Sequence, residues 1–370
     1  MAAGVAATAP MACASPLPHA GTAQRAAAPV CTPLPALAPA IHLKIVMTVS
    51  SFHILPIDNT VSPEQPAELR SFGWAAAEAG PALLVFGAVH GNEQSGTHAI
   101  RRWIERFESG QVRLKRGRLT MVPVANPKAF VKNEREGDRN LNRNFVPSEQ
   151  PQNFEDHMVN ALAPLLESHD ALLDLHSYSG DGVPFAMTGP LNNNGKLEPF
   201  ARQVEEEAFA KAVGLPTIVQ GWLEVYDKAV QASNGAIRAE HGIGTNEFMR
   251  SRGGYAITVE SGSHADPEAI EIADRCIAGV LNLLDMADVQ VEPVARYTTH
   301  HMKDVFMRQS EGDQMVKDWQ NFDPFHKGDL LATRADGSQI LAPFDGCMIF
   351  PQSDAPVNRE WFYLATTDHA

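Results

Sequence analysis

Ala82-Leu83-Leu84-Val85-Phe86-Gly87-Ala88-Val89 runs directly into His90-Gly91-Asn92-Glu93. The first part carries no polar side chain, the pattern of a strand buried on both faces. A strand of that kind lies in a sheet covered by helices. A helix is predicted to follow from about Gly96, where Ile100, Ile104 and Phe107 share one face. Working outward, Leu119–Ala125 (LTMVPVA), Ala171–Leu175 (ALLDL) and Ala256–Glu260 (AITVE) read as further buried strands. After the last of these Asp266 can cap a helix, Pro267 fits its first position and Glu268 complements its dipole. Ile270, Ala273, Ile277, Val280, Leu281 and Leu284 form the predicted apolar stripe of that helix. Strands separated by helices predict an α/β fold with a mixed, largely parallel central sheet flanked by helices.

The two ends of the chain differ from this middle. Residues 1–46 are dominated by Ala and Pro, with Arg25 and Lys44 as their only charged side chains. They are expected to form a disordered low-complexity tail, with Met47 as the expected translation start. After about Ala295 short apolar runs are punctuated by Lys327-Gly328-Asp329, Ala335-Asp336-Gly337 and Phe344-Asp345-Gly346, without a long amphipathic helix. That reads as a small all-β module of hairpins. The expected division is a tail at 1–46, an α/β domain at 47–294 and a C-terminal β module at 295–370.

Acidic residues outnumber basic ones, 44 against 30, for a formal charge of −14. A field of that sign repels phosphate and argues against nucleic acid or an anionic membrane as partner. No apolar run reaches the roughly 18 residues needed to span a bilayer. Of the four cysteines, Cys13 and Cys31 fall in the tail, Cys276 on a predicted helix and Cys347 on a predicted strand. There is no C-x-x-C pair, so the reading is a reduced, cytoplasmic protein without a cysteine metal site. Assembly into a homo-oligomer is left open.

Chemistry concentrates where the strands end. His90 and Glu93 follow the first buried strand, at the edge where open α/β sheets bind ligands. Imidazole nitrogen and carboxylate oxygen are both good zinc donors, and Gly91 is expected to let the backbone turn between them. The spacing alone is common: His301 with Asp304 and His326 with Asp329 repeat it. A third donor, His176 in Asp174-Leu175-His176-Ser177-Tyr178, ends another buried strand, and Asp174 two residues earlier points to the same side. Two histidines and a carboxylate leave a position open, as in catalytic rather than structural zinc sites. Glu260 ends a further strand, where its carboxylate could take a proton from an attacking water. Between these lies a loop rich in both signs of charge, Arg135-Glu136-Gly137-Asp138-Arg139-Asn140-Leu141-Asn142-Arg143-Asn144-Phe145.

These motifs resemble the succinylglutamate desuccinylase/aspartoacylase family, itself related to zinc carboxypeptidases. The His-Gly-Asn-Glu turn matches the family's ligand motif, and residues 140–145 resemble its Asp-Leu-Asn-Arg-x-Phe motif, with Asn140 standing where Asp is usual. The resemblance covers about residues 75 to 295. It implies one zinc ion per chain held by His90, Glu93 and His176, with Glu260 as the proton shuttle. It also implies that Arg135 polarises the scissile carbonyl and that Asn142 and Arg143 bind a carboxylate of the substrate. Arg250, ten residues before Glu260, stands about where the family binds a second carboxylate. Tyr178 reads either as a subsite wall or as a packed aromatic. The expected activity is hydrolysis of the amide of a small N-acyl amino acid bearing a carboxylate. A zinc carboxypeptidase or cell-wall peptide amidase is the nearest rival, and a non-catalytic binding protein on the same fold is the rival of another class.

Overall fold

The computed structural model describes residues 48–56, 68–196, 198–232, 238–292 and 294–369. The Ala/Pro-rich segment 1–46 and Met47 lie outside the described residues. In chain order the strands are β1 (Thr48–Pro56), β2 (Glu68–Ala76), β3 (Ala82–Gly87), β4 (Arg118–Val122), β5 (Ala171–Tyr178), β6 (Phe185–Met187), β7 (Thr217–Gln220) and β8 (Tyr255–Ser263). They continue as β9 (Thr298–Met307), β10 (Gln314–Met315), β11 (Pro324–Phe325), β12 (Leu330–Thr333), β13 (Gln339–Leu341), β14 (Gly346–Ile349) and β15 (Glu360–His369). The helices are α1 (Ser95–Glu108), α2 (Pro127–Lys132), α3 (Phe154–Glu167), α4 (Gln203–Ala212), α5 (Trp222–Ala232), α6 (Thr245–Ser251) and α7 (Glu268–Leu283).

Among the described residues one sheet of twelve strands runs β1-β2-β4-β3-β5-β8-β6-β7-β9-β15-β14-β11. Its centre, β4-β3-β5-β8, is parallel, and its flanks carry antiparallel pairs, as the mixed sheet predicted. The alternation along β3 shows why its sequence is apolar throughout. Leu83 and Val85 pack with Ile100 and Trp103 of α1 and Ile277 of α7, whereas Leu84 and Phe86 pack with Phe154, Met158 and Leu162 of α3. Both faces are dry, so neither parity tolerates a polar residue.

Several expectations shift in detail. β5 and β8 run past Leu175 and Glu260 to Tyr178 and Ser263, so His176 and Glu260 sit within strands rather than beyond their ends. The buried stripe of α7 is led by Ala269, Ile272 and Ala273, with Ile270 only half-buried. Asp266 does accept from the Glu268 amide at 2.9 Å, as a capping carboxylate should. The segment after Ala295 is all-β among its described residues, yet β9 pairs in parallel with β7 and carries the main sheet onward. Among the described residues only β10-β12-β13 form a separate sheet. Cys276 and Cys347 fall on α7 and β14 as expected, both buried and free. No helix among the described residues is long and apolar enough to cross a membrane.

One buried histidine ties stability to pH. His169, between α3 and β5, has Nδ1 at 2.7 Å from the Leu165 carbonyl and Nε2 at 2.8 Å from Thr120 Oγ1. Burial pushes its pKa down from 6.5 to about 4. The unfolded chain therefore takes up a proton below pH 6.5 that the folded chain refuses, so this stabilisation is full above 6.5 and is lost as pH falls toward about 4. At most on the order of 3 kcal/mol is at stake. Urea unfolding of His169→Gln between those pH values is expected to show a flatter dependence than the wild type, and an unchanged slope would contradict it.

Candidate metal centre and substrate cavity

The site follows from strand register. Leu172, Asp174 and His176 share one face of β5, and Ala256, Thr258 and Glu260 share the corresponding face of β8. The parallel ladder sets Asp174 beside Thr258 and His176 beside Glu260. Hydrogen bonds of the sheet thus fix a candidate ligand next to a candidate base.

His90 and Glu93 arrive from the turn after β3. That turn does run through Gly91, as the sequence suggested: the Glu93 amide donates to the His90 carbonyl at 3.2 Å across Gly91 and Asn92, while the left-handed residue is Ala88 before it, with φ at 48°. Such a conformation is strained for alanine and is held here by the surrounding packing. Gly91 also serves a second need, because a Cβ there would lie 2.0 Å from the Ala129 carbonyl carbon in α2.

Glu93 bridges the two imidazoles, with Oε1 2.8 Å from His90 Nδ1 and Oε2 2.8 Å from His176 Nδ1. All three side chains are buried, and one donor atom from each lies within 4.8 Å of the others. The opposite ring edges are occupied. His90 Nε2 is 3.0 Å from Asn140 Oδ1, which also accepts from the Asn142 amide at 2.8 Å. An amide oxygen only accepts, so Nε2 carries the proton of a neutral His90 and Nδ1 presents its lone pair. Asn140 can therefore orient the ring without a charge, which accounts for the substitution in the motif. His176 Nε2 lies 3.1 Å from Asp174 Oδ1, and the other oxygen of Asp174 accepts from the Thr245 hydroxyl at 2.5 Å.

The electrostatics suit a cation. Burial, followed by the charge of Arg135, lowers the pKa of His90 to about 4 and keeps it neutral, the form that binds metal. Its Nδ1 is buried and meets the Glu93 carboxylate at 2.8 Å without the alignment of a hydrogen bond. Burial opposes charge on His176, but the carboxylates of Asp174 and Glu93 overcome it and raise its pKa. Glu260 is pushed up to about 8, first by burial and then by the Glu93 carboxylate. A buried nitrogen not engaged in a hydrogen bond, a second imidazole and a shared carboxylate are a donor set that could hold a metal ion, and they fit zinc.

Arg135 reaches this centre, its Nη1 donating to Glu93 Oε1 at 2.7 Å. The irregular loop that carries it is organised by Glu155, in the first turn of α3 and wholly buried. Glu155 accepts from the amides of Gly137 and Asp138 at 3.0 Å each and of Arg139 at 3.2 Å, and from Asn126 Nδ2 at 3.0 Å. Asp156 beside it takes the Arg139 guanidinium at 2.8 and 3.0 Å. Asn142 accepts from the Thr245 amide at 2.9 Å. Arg143 lies over the Trp222 ring, 4.6 Å from its centroid, and donates to Glu360 of β15 at 3.2 Å.

A cavity of about 680 Å³ joins these groups; His90, Glu93, His176, Glu260, Arg135 and Arg143 all lie in its wall. Asn142, Tyr178 and Arg250 line it too. Tyr178 is both wall and packing, its hydroxyl donating to the Val183 carbonyl at 2.9 Å and its ring lying 5.9 Å from that of Phe185. Arg250 is buried and already bound to Glu206 and Glu198, each at 2.7 Å. Its expected role toward a second carboxylate therefore meets a guanidinium whose charge is matched. The other His-x-x-acid pairs stand apart from this cavity, His301 pairing with Asp368 at 2.9 Å. Sequence reading missed Glu155, Glu360 and Trp222; none has a local signature, and Glu360 reaches Arg143 across 217 positions.

Comparisons with known proteins bear on the family and the fold. Residues 79–287 match the family model of the succinylglutamate desuccinylase/aspartoacylase catalytic domain. An N-α-acetyl-L-2,4-diaminobutyric acid deacetylase of Halomonas elongata is 32% identical over 145 residues, which is 37% of this chain and 39% of that protein's length. The product-bound structure of the ectoine utilization protein EutE (DoeB) from Ruegeria pomeroyi superposes with a TM-score of 0.64 at 23% identity, over 89% of this chain and 98% of that one. A succinylglutamate desuccinylase/aspartoacylase from Rhodobacter sphaeroides gives 0.64 at 18% identity, over 87% and 96%. At such identities the superpositions show a shared fold, while the family match spans more than half of the chain and takes in the two metal-site motifs, the arginine loop and Glu260. This chain belongs to the succinylglutamate desuccinylase/aspartoacylase family of deacylases.

Proposed function

We propose that the protein hydrolyses the amide bond of a small N-acyl amino acid, with one zinc ion held by His90, Glu93 and His176. Zinc in such a donor set supplies Lewis acidity and brings the pKa of water down toward ~7. The remaining chemistry belongs to this chain's side chains. Glu260 takes the proton of the attacking water and returns it to the leaving amine. Arg135 directs its guanidinium at the carbonyl oxygen and stabilises the charge that develops there. Asn142 and Arg143 receive the substrate's α-carboxylate, for which a planar guanidinium offers paired donors. Asn140 and Asp174 hold the two imidazoles in position.

The observation that carries this reading is the pairing of His176 with Glu260 across β5 and β8, beside the His90–Glu93 turn and in one cavity with Arg135. Trp319, Phe350 and Tyr363 of the C-terminal segment wall that cavity, which favours a small acyl amino acid over a long peptide. The partial likeness to the Halomonas deacetylase makes α-N-acetyl-2,4-diaminobutyrate the first compound to try. The test combines metal analysis with a panel of N-acetyl and N-succinyl amino acids and of peptides. Turnover of acyl amino acids, abolished by a chelator and restored by zinc, is expected. Cleavage of peptides alone would move the assignment to a carboxypeptidase. A metal-free protein inert toward both classes would favour a binding protein.

Asp174→Ala tests the support of the metal. Loss of the carboxylate 3.1 Å from His176 Nε2 is expected to weaken zinc in competition with a chromophoric chelator. Partners of this kind are typically worth about 10–100-fold in affinity. Unchanged affinity would remove Asp174 from the description of the site.

A further inference from the structure

Resting on the reading of the site as an acyl amino acid hydrolase, we propose that the substrate's side chain carries an amine. It is received where Thr188, Asn246, Glu247 and Thr258 form the cavity wall, and this region rejects a second carboxylate.

Arg250 is the cation that a second carboxylate would need, and three of its five N–H donors are engaged, one on each nitrogen. Nε donates to Glu206 at 2.7 Å, Nη1 to Glu198 at 2.7 Å and Nη2 to the Ala256 carbonyl at 2.6 Å. Glu247 stands a further 3.6 Å from Nη1. Three carboxylates around one guanidinium leave the region formally negative, and Arg250 itself is only 3% exposed. An incoming carboxylate would have to sit against those three carboxylates, a like-charge contact that an exposed, unpaired arginine does not impose.

The polar atoms beside it ask for a donor. Asn246 Nδ2 donates to Thr258 Oγ1 at 2.7 Å, and Asn246 Oδ1 is left with no hydrogen-bond partner. Thr188 Oγ1 is unpartnered as well. Both residues are 6% exposed and both belong to the cavity wall. A buried acceptor without a donor is costly, and an ammonium group carries three donors.

Position and charge agree. Thr258 lies on the same face of β8 as Glu260, one pleat repeat away. That repeat is about 7 Å, within reach of a short amine-bearing side chain when the amide sits at Glu260. The cavity wall as a whole carries eight carboxylates against four guanidiniums and no lysine, so a divalent cation still leaves a formal excess of two negative charges. A substrate with one carboxylate and one amine meets that field better than a dicarboxylate.

The test compares three α-N-acetyl amino acids of similar side-chain size: 2,4-diaminobutyrate (amine), norvaline (neutral) and aspartate (carboxylate). In the zinc-loaded protein kcat/KM is expected to be at least tenfold higher for the amine than for norvaline, and at least a hundredfold higher than for aspartate. Asn246→Leu should reduce the amine-to-norvaline ratio at least tenfold, with Thr188→Val as a second variant should the first not fold. A separate arm measures calorimetric binding of free 2,4-diaminobutyrate and free aspartate to the wild type. Preference for aspartate or norvaline, or a ratio unmoved in a folded variant, would overturn the proposal. Failure to turn over any of the three counts against the hydrolase reading instead. In that case tighter binding of diaminobutyrate than of aspartate still supports the amine site, and equal, weaker or absent binding ends it.

Discussion

Replacing Glu260 with glutamine is expected to lower kcat by about three orders of magnitude while the protein keeps its metal, since general acid–base residues typically contribute 10²–10⁴-fold. Glutamine preserves size and occupies the same register opposite His176, so neither the β5–β8 ladder nor the donor set is disturbed. What disappears is the group able to accept a proton from water and deliver it to the amine. The burial that pushes the Glu260 pKa up also leaves it little exposed to bulk water that could take over its part. Steady-state kinetics with parallel metal analysis separate the outcomes. Near-normal kcat with bound zinc would transfer the base role to another residue. Loss of both metal and activity would show Glu260 to be part of the metal's support.

Gly91→Ala is expected to be the most damaging substitution of a residue without functional atoms. The added Cβ would stand 2.0 Å from the Ala129 carbonyl carbon and 2.2 Å from its oxygen, both backbone atoms of α2. No side-chain rotation relieves such a contact, so the His90 turn or helix α2 must move. Overpacking of this kind costs roughly 1–3 kcal/mol and occasionally more. Here the moving part carries His90 and Glu93, so zinc affinity should fall by at least about tenfold, which 1.4 kcal/mol already produces. Thermal unfolding and chelator competition on the same preparation check both effects. A variant with wild-type stability and metal affinity would show that α2 can withdraw without cost.

How much of this was legible depended on whether the cause was local. The alternation of Leu83 and Val85 with Leu84 and Phe86 toward opposite faces is inherent in an unbroken apolar run, so the doubly covered sheet could be read directly. His90, Glu93, His176 and Glu260 were readable because each sits at or near the end of such a run. Strand lengths were misjudged where polar residues continue a strand: His176 and Glu260 remain inside it because their neighbours supply what they need. The role of Gly91 was read only in part: its place in the His90–Glu93 turn was legible, its contact with α2 was not. A glycine in a turn suggests freedom of φ, whereas the second constraint comes from a helix 38 residues later in the chain. Nor does local pattern encode which strand β9 joins, or that Glu360 meets Arg143; both are long-range pairings.

The mooring of the arginine loop to α3 has a consequence for how the substrate is met. Residues 135–143 form no helix or strand, and such a loop would ordinarily sample many shapes. Glu155 and Asp156 remove that freedom by binding three of its amides and one of its guanidiniums from a single helical turn. Opening the loop therefore means stripping a buried carboxylate of its donors, and the helix start would have to open with it. If Arg135 and Arg143 bind substrate as proposed, the loop between them is ordered beforehand, and little of the binding energy would go into ordering the receptor.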